Sequence, residues 1–251
     1  MADFDELIAL GSEADVTGWD FDWLQGRASE ERPPWGYAGL LAERLATASA
    51  SLDLDTGGGE VLAEAQTFPP IAVATESWPP NAAKATSLLH PRGVVVVRTG
   101  QDDPLPFADG AFDLVTSRHP VAPRWAEIAR VLCVGGTYLA QHVGPASGFE
   151  LIEFFLGPLP EQRRGRHPDD EIEAAQAAGL EIVDVRRSTL RIEIRDVAAV
   201  VYLLRKLVWW VPDFTVERYR DRLRDLHELI EHDGPFVAHS SRHLLEARRS
   251  A

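Results

Sequence analysis

The chain holds a single cysteine, Cys133, among 251 residues, so no internal disulfide can form. That scarcity is compatible with a reducing cytoplasm. The histidines are scattered, and with no second cysteine this argues against a structural zinc site, so no metal is expected. No run of eighteen apolar residues exists to span a bilayer, and no membrane partner is expected. The opening MADFDELIAL is acidic and lacks the positive segment of a secretory signal. Basic charge is also short: 25 Lys and Arg face 39 Asp and Glu, a net charge of −14. That balance argues against a general nucleic-acid surface, which must neutralise phosphates. These absences point to a cytoplasmic protein and leave its oligomeric state open.

The negative charge is unevenly spread. The first 31 residues carry nine acids against Arg27 alone, while Arg163, Arg164 and Arg166 cluster in the second half and read as a solvated basic loop. Trp19, Phe21, Trp23 and Trp35 are interleaved with the N-terminal acids. Large apolar rings are seldom left in solvent, so residues 1–35 read as a cap packed on a domain spanning 36–251. A composition 45% hydrophobic is enough for one sizeable α/β core.

From residue 35 onward, short apolar runs alternate with helical stretches. Strands are predicted over 51–54, 71–75, 93–97, 112–116 and 137–143, with helices over 35–48, 59–65, 81–89 and 125–132. Cys133 is read as lying inside a helix with apolar neighbours, a small core residue. Such alternation implies crossover units and a doubly wound, mostly parallel sheet, here of seven strands. Helices are predicted over 149–155 and 169–178, and extended chain over 180–187 and 190–194. Two further helices, within about 195–232, precede a last strand over 243–248 and form a natural substrate lid.

In a doubly wound sheet, ligands bind at the carboxyl ends of the strands. The first of these ends here in Asp53-Leu54-Asp55-Thr56-Gly57-Gly58-Gly59. Glycine lets backbone approach a ligand closely, and a helix N-terminus after it supplies free amides. Glu76 ends the next strand, 23 residues beyond Asp53, where an acid can accept from both ribose hydroxyls of a nucleoside cofactor. Trp78 offers a flat face for an adenine. The glycines do not follow the dinucleotide spacing G-x-G-x-x-G, since Val61 and Leu62 follow Glu60.

Together with that turn, three features resemble the class I S-adenosylmethionine-dependent methyltransferases of the small-molecule type. They are Glu76, the segment LPFADGAFDLV from Leu105 to Val115, and EIARVLCVGG from Glu127 to Gly136. The resemblance spans about residues 36 to 143. It implies that Asp53 lies by the methionine amino group of S-adenosylmethionine, that Gly57 and Gly59 admit the cofactor beside Thr56, and that Glu76 holds its ribose. It also implies an adenine contact at Gln101 or its neighbour Asp102. Asp55 stands where the family has its first glycine, and it is expected to lower cofactor affinity without abolishing it.

Past the strand over 112–116, Ser117 is placed beside the cofactor, and Arg118 and His119 beside the substrate. His119, with a free pKa near neutrality, is a candidate general base or a shaper of the pocket. His142 reaches the same region by topology, as a substrate contact or a structural group. Trp209, Trp210 and Phe214 either line an apolar substrate pocket or pack between helices. The expected function is methyl transfer from S-adenosylmethionine to an O, N or C nucleophile of a small molecule. Two alternatives are an rRNA or tRNA methyltransferase, and a protein of this fold that binds ligand without methylating.

Overall fold

A computed structural model describes residues 3–18, 21–100 and 103–250. Trp19, Gln101 and Asp102 thus lie outside the described residues. Eight strands form one sheet in the order β1-β7-β8-β6-β5-β2-β3-β4. They are β1 (Ala28–Glu30), β2 (Ala50–Leu54), β3 (Ile71–Glu76), β4 (Val95–Arg98), β5 (Phe112–Arg118), β6 (Leu132–Val143), β7 (Leu180–Ile194) and β8 (Phe236–Arg249). Strands β6, β5, β2, β3 and β4 run parallel; β8 is antiparallel to β6, and β1 to β7. The strand beyond the expected seven is β1, three residues from the acidic N-terminal segment.

Eight α-helices accompany them among the described residues: α1 (Phe4–Glu13), α2 (Tyr37–Thr47), α3 (Pro79–Leu89), α4 (Trp125–Val131), α5 (Phe149–Leu156), α6 (Pro168–Ala177), α7 (Val197–Lys206) and α8 (Arg220–Asp233). Their starts are written in the sequence. Asp196 accepts from the amide of Ala199 at 2.8 Å to cap α7. Pro168 opens α6, followed by Asp169, Asp170 and Glu171, whose charges suit the positive end of the helix.

Two expectations need correction. The helix predicted over 59–65 is a single 3-10 turn at Leu62–Glu64, because Arg92 takes the carbonyls of Ala63 and Ala65 and leaves them no continuing turn to bond. Cys133 is not helical. The chain turns from α4 directly into β6, whose first residues bulge against β5 between Phe112 and Leu114.

The contacts divide the chain into two compact units. The first comprises residues 1–32, 145–165 and 189–241. Its core is Phe4, Leu7 and Ile8 of α1 against the wholly apolar face of α7, closed by Leu223, Leu226 and Ile230 of α8. Trp23 stacks on Tyr202 with ring centroids 4.8 Å apart, so that ring of the acidic segment is spent on packing.

The second unit comprises residues 33–144, 166–188 and 242–251. Its central strand β2 is buried along its whole length. Asp113 starts that strand by accepting from the amides of Ser49 and Ala50, at 2.8 and 3.0 Å. Arg130 donates to the carbonyls of Leu105 and Phe107 and to the carboxylates of Asp109 and Glu127, and Glu127 accepts from the Leu105 amide at 2.7 Å. The two downstream motifs are thus halves of one lock that holds the loop before β5 onto α4.

Candidate functional site

Parallel strands β2, β3 and β5 end side by side, so Asp53, Glu76 and Ser117 arrive at one sheet edge. Asp53 is buried and accepts from the Thr116 hydroxyl at 2.6 Å. Burial raises its pKa to about 6, helped by the charge of Asp55 and opposed by the Thr116 hydrogen bond. The Thr56 hydroxyl also opposes the rise from beside Asp53; it is buried and makes no hydrogen bond of full geometry among the described residues.

Asp55 adopts φ +54°, the left-handed region. This explains why glycine is the family's residue there and why aspartate is among the few side chains to tolerate it. The residue as a whole is exposed, but partial burial of its carboxyl raises the pKa against the charge of Arg124, and its amide donates to the Thr75 hydroxyl at 3.3 Å. The two glycines read as cofactor-admitting differ. At Gly57 (φ +64°) an added Cβ meets nothing within 4 Å, whereas at Gly59 it would strike Leu89 Cδ1 at 2.8 Å. Gly57 borders open space; Gly59 is needed for internal packing.

Glu76 is buried at the end of β3. One carboxylate oxygen accepts from the Gly57 amide at 2.8 Å; the other accepts from the amides of Ser77 and Trp78, at 2.9 and 2.8 Å. The acid therefore ties the glycine turn to β3, and its first oxygen keeps further acceptor capacity. Trp78 follows and is 44% exposed.

At the end of β5 the Ser117 hydroxyl donates to the Leu54 carbonyl at 3.2 Å, and the Ser117 carbonyl accepts from the Tyr37 hydroxyl at 3.0 Å. Arg118 is exposed, and His119 is held at φ +58° with its amide donating to the Gln141 carbonyl at 2.7 Å. Trp35 Nε1, which can only donate, reaches the Gln141 side-chain oxygen at 2.8 Å. The Gln141 nitrogen must then donate to His119 Nε2, 2.9 Å away. His119 is left with its proton on Nδ1. Burial lowers its pKa well below the usual value, and Arg118, Arg242, His142 and Arg166 lower it further.

His142, one residue beyond Gln141, bonds through Nδ1 to Glu171 at 2.5 Å and through Nε2 to the Tyr138 hydroxyl at 3.1 Å. Trp35, Tyr37, Thr116, Gln141, Glu171 and His243 carry no motif; they meet their partners only through the packing of distant helices, loops and strands. Trp209 and Trp210 belong to the first unit. There Trp210 covers Gly148, Trp209 is exposed, and Phe214 stacks on Tyr219.

Residues 52–140 match the family described as a methyltransferase domain. The chain has a Rossmann-like methyltransferase fold, and over that span its sequence is similar to a methyltransferase domain. Its fold recurs in a provisionally assigned methyltransferase of Bacillus halodurans C-125, at 19% identity, with 85% of this chain and 99% of that one covered and a TM-score of 0.61. A geranyl diphosphate methyltransferase in complex with SAM matches at 15% identity, covering 84% of each chain, with a TM-score of 0.52. The cyclase SpnF matches at 20% identity, covering 85% of this chain and 80% of its own, with a TM-score of 0.52. No curated protein matches the chain by sequence. Asp53, Glu76 and His119 all lie inside the matched span. No helix among the described residues is long and apolar enough to cross a membrane.

Proposed function

We propose that this chain is an S-adenosylmethionine-dependent methyltransferase acting on a small molecule. The observation that carries the reading is the turn between β2 and β3. It combines a buried Thr56 hydroxyl with no hydrogen bond of full geometry among the described residues, open space over Gly57 and a Glu76 carboxylate already aligned by three amides. Asp53 and Thr56 would hold the methionine end of the cofactor, Glu76 its ribose and Trp78 its adenine, with Ser117 completing the same edge.

When bound, S-adenosylmethionine supplies a methyl group on a sulfonium, activated for displacement. The protein's task is then alignment of a nucleophile. Arg118 and His119 face that task on the substrate side, with His142 behind them. His119 serves as a hydrogen-bond donor through Nδ1, because Gln141 occupies the nitrogen a base would need. The small-molecule class is supported by the net charge of −14 and by the fold shared with geranyl diphosphate methyltransferase.

Calorimetry with S-adenosylhomocysteine tests the reading: wild type binds at one site, and Glu76→Ala and Gly57→Val bind at least tenfold more weakly. Absence of binding to wild type overturns it. A second reading, ligand binding without methyl transfer, draws on Asp55 and on the fold shared with the cyclase SpnF. Cofactor binding with no turnover across a panel of small nucleophiles supports that one.

A further inference from the structure

His142 and His243 are directly opposed across the antiparallel pair β6–β8. Glu171, in the first turn of α6, places a single oxygen, Oε2, 2.5 Å from His142 Nδ1 and 2.7 Å from His243 Nε2. The three candidate donor atoms lie within 4.8 Å of one another. Both histidines are 1% exposed, while the Glu171 side chain retains 14% of its surface. We infer that His142, Glu171 and His243 form a binding site for one divalent transition-metal ion, zinc in the first place.

The donor set is two imidazoles and one carboxylate, which leaves a fourth tetrahedral position open. Zinc binds such atoms at about 2.0–2.2 Å, which sets neighbouring ligands roughly 3.4 Å apart. The two N···O separations need to open by less than about 1 Å to admit the ion at those lengths. The ion takes the place of the two N–H protons that now point at Glu171, and both histidines have somewhere to put a proton. With Nδ1 on the metal, His142 carries its proton on Nε2 and donates to the Tyr138 hydroxyl, reversing the present bond. His243 Nδ1 has no partner among the described residues and can carry the other. Tyr138 is fully buried and fixes the His142 ring, the outer-shell support metal-bound histidines ordinarily have.

Charge argues the same way. The carboxylate is partly buried, and among the described residues its hydrogen-bond partners are imidazoles, with no arginine or lysine among them. Arg166 acts on His142 only through longer-range charge. A divalent cation supplies what the site lacks. Its open position would take water or an oxygen of a substrate hydroxyl or carboxylate, one residue along β6 from the Gln141 that holds His119.

Equilibrium dialysis of the EDTA-treated full chain against Zn2+ should give one equivalent bound. Co2+ should give the intense visible absorption of a four-coordinate ion. Glu171→Gln and His243→Gln should each weaken Zn2+ about 100-fold or more, and Tyr138→Phe about 10-fold. His232→Gln, at an exposed histidine, should leave binding unchanged. Nitrogen-15 histidine spectra of the wild-type chain test the site without substitution: Zn2+ must shift His142 Nδ1 and His243 Nε2. Failure of stoichiometric binding, binding retained in both ligand variants, or no movement of those two resonances overturns the assignment. None of these measurements depends on S-adenosylmethionine.

Discussion

Trp35 donates its indole N–H to the side-chain oxygen of Gln141, and that bond decides what His119 can do. With the amide orientation set, His119 is the Nδ1–H tautomer. Its pKa, lowered first by burial, keeps it neutral through the physiological range. Histidine NMR should show this tautomer with no titration near pH 6.5. Trp35→Phe frees the amide and should produce a mixture of tautomers. Single-turnover methyl transfer should be flat in rate between about pH 6.5 and 8, since no base titrates there. A rate that rises with a histidine ionisation in that window contradicts the donor role.

Asp53 should oppose folding at neutral pH and serve binding instead. Its folded pKa of about 6 lies above the ordinary 3.8, so the unfolded chain releases this proton first. Stability is therefore lost as pH rises from about 4 to 6, and the full penalty, about 3 kcal/mol, persists above that. Asp53→Asn keeps an oxygen for Thr116 and removes the buried charge. Urea denaturation should show a gain of about 1–3 kcal/mol at pH 8, little gain at pH 4, and loss of stabilisation by S-adenosylhomocysteine.

The lock between Glu127 and Arg130 predicts the opposite pH dependence. Arg130 holds the Glu127 pKa down to about 2, so the pair stabilises the fold above the ordinary 4.5 and loses that contribution as pH falls toward 2. Arg130→Ala also strips donors from two carbonyls. We expect a loss of about 2 kcal/mol at pH 7, from charge-assisted hydrogen bonds that are only partly screened. The deficit relative to wild type should shrink in denaturation curves below pH 4.

In the first unit, Gly11 of α1 lies against α7. A Cβ there would stand 2.6 Å from the carbonyl oxygen of Ala198 and 2.9 Å from Val201 Cβ. Alanine normally gains about 1 kcal/mol over glycine in a helix. The obstacle here is backbone, so the helices must separate, and overpacking of this kind costs about 1–3 kcal/mol. Gly11→Ala should therefore lower the melting temperature. A rise would mean that α1 moves freely on α7.

The parallel strands were legible because Leu52, Val115 and Leu139 sit in short buried runs whose pattern needs no partner to be recognised. The LPFADG and EIAR segments were legible as family text, although their physical bond through Arg130 was not. What stayed hidden depends on long-range packing. Gln141 meets Trp35 across 106 residues, and Glu171 meets His243 across 72. No local period encodes such distances. The helix over 59–65 was misread for a similar reason: the guanidinium that ends it belongs to Arg92, 27 residues beyond Ala65.

Asp55 offers the sharpest test of the glycine turn. Its φ of +54° strains any side chain, aspartate less than most. Asp55→Ala should cost about 1 kcal/mol of stability, while Asp55→Gly should stay within about 0.5 kcal/mol of wild type. Relief of strain is offset there by the added freedom of glycine in the unfolded chain. Cofactor affinity separates charge from bulk. If the carboxylate repels the cofactor's own carboxylate, Asp55→Asn should tighten S-adenosylhomocysteine as much as Asp55→Gly does, and added salt should shrink the difference from wild type. If the side chain obstructs instead, only the glycine variant binds more tightly, and salt leaves the gap intact. Equal affinity in all three proteins at low salt would show that the aspartate costs binding nothing.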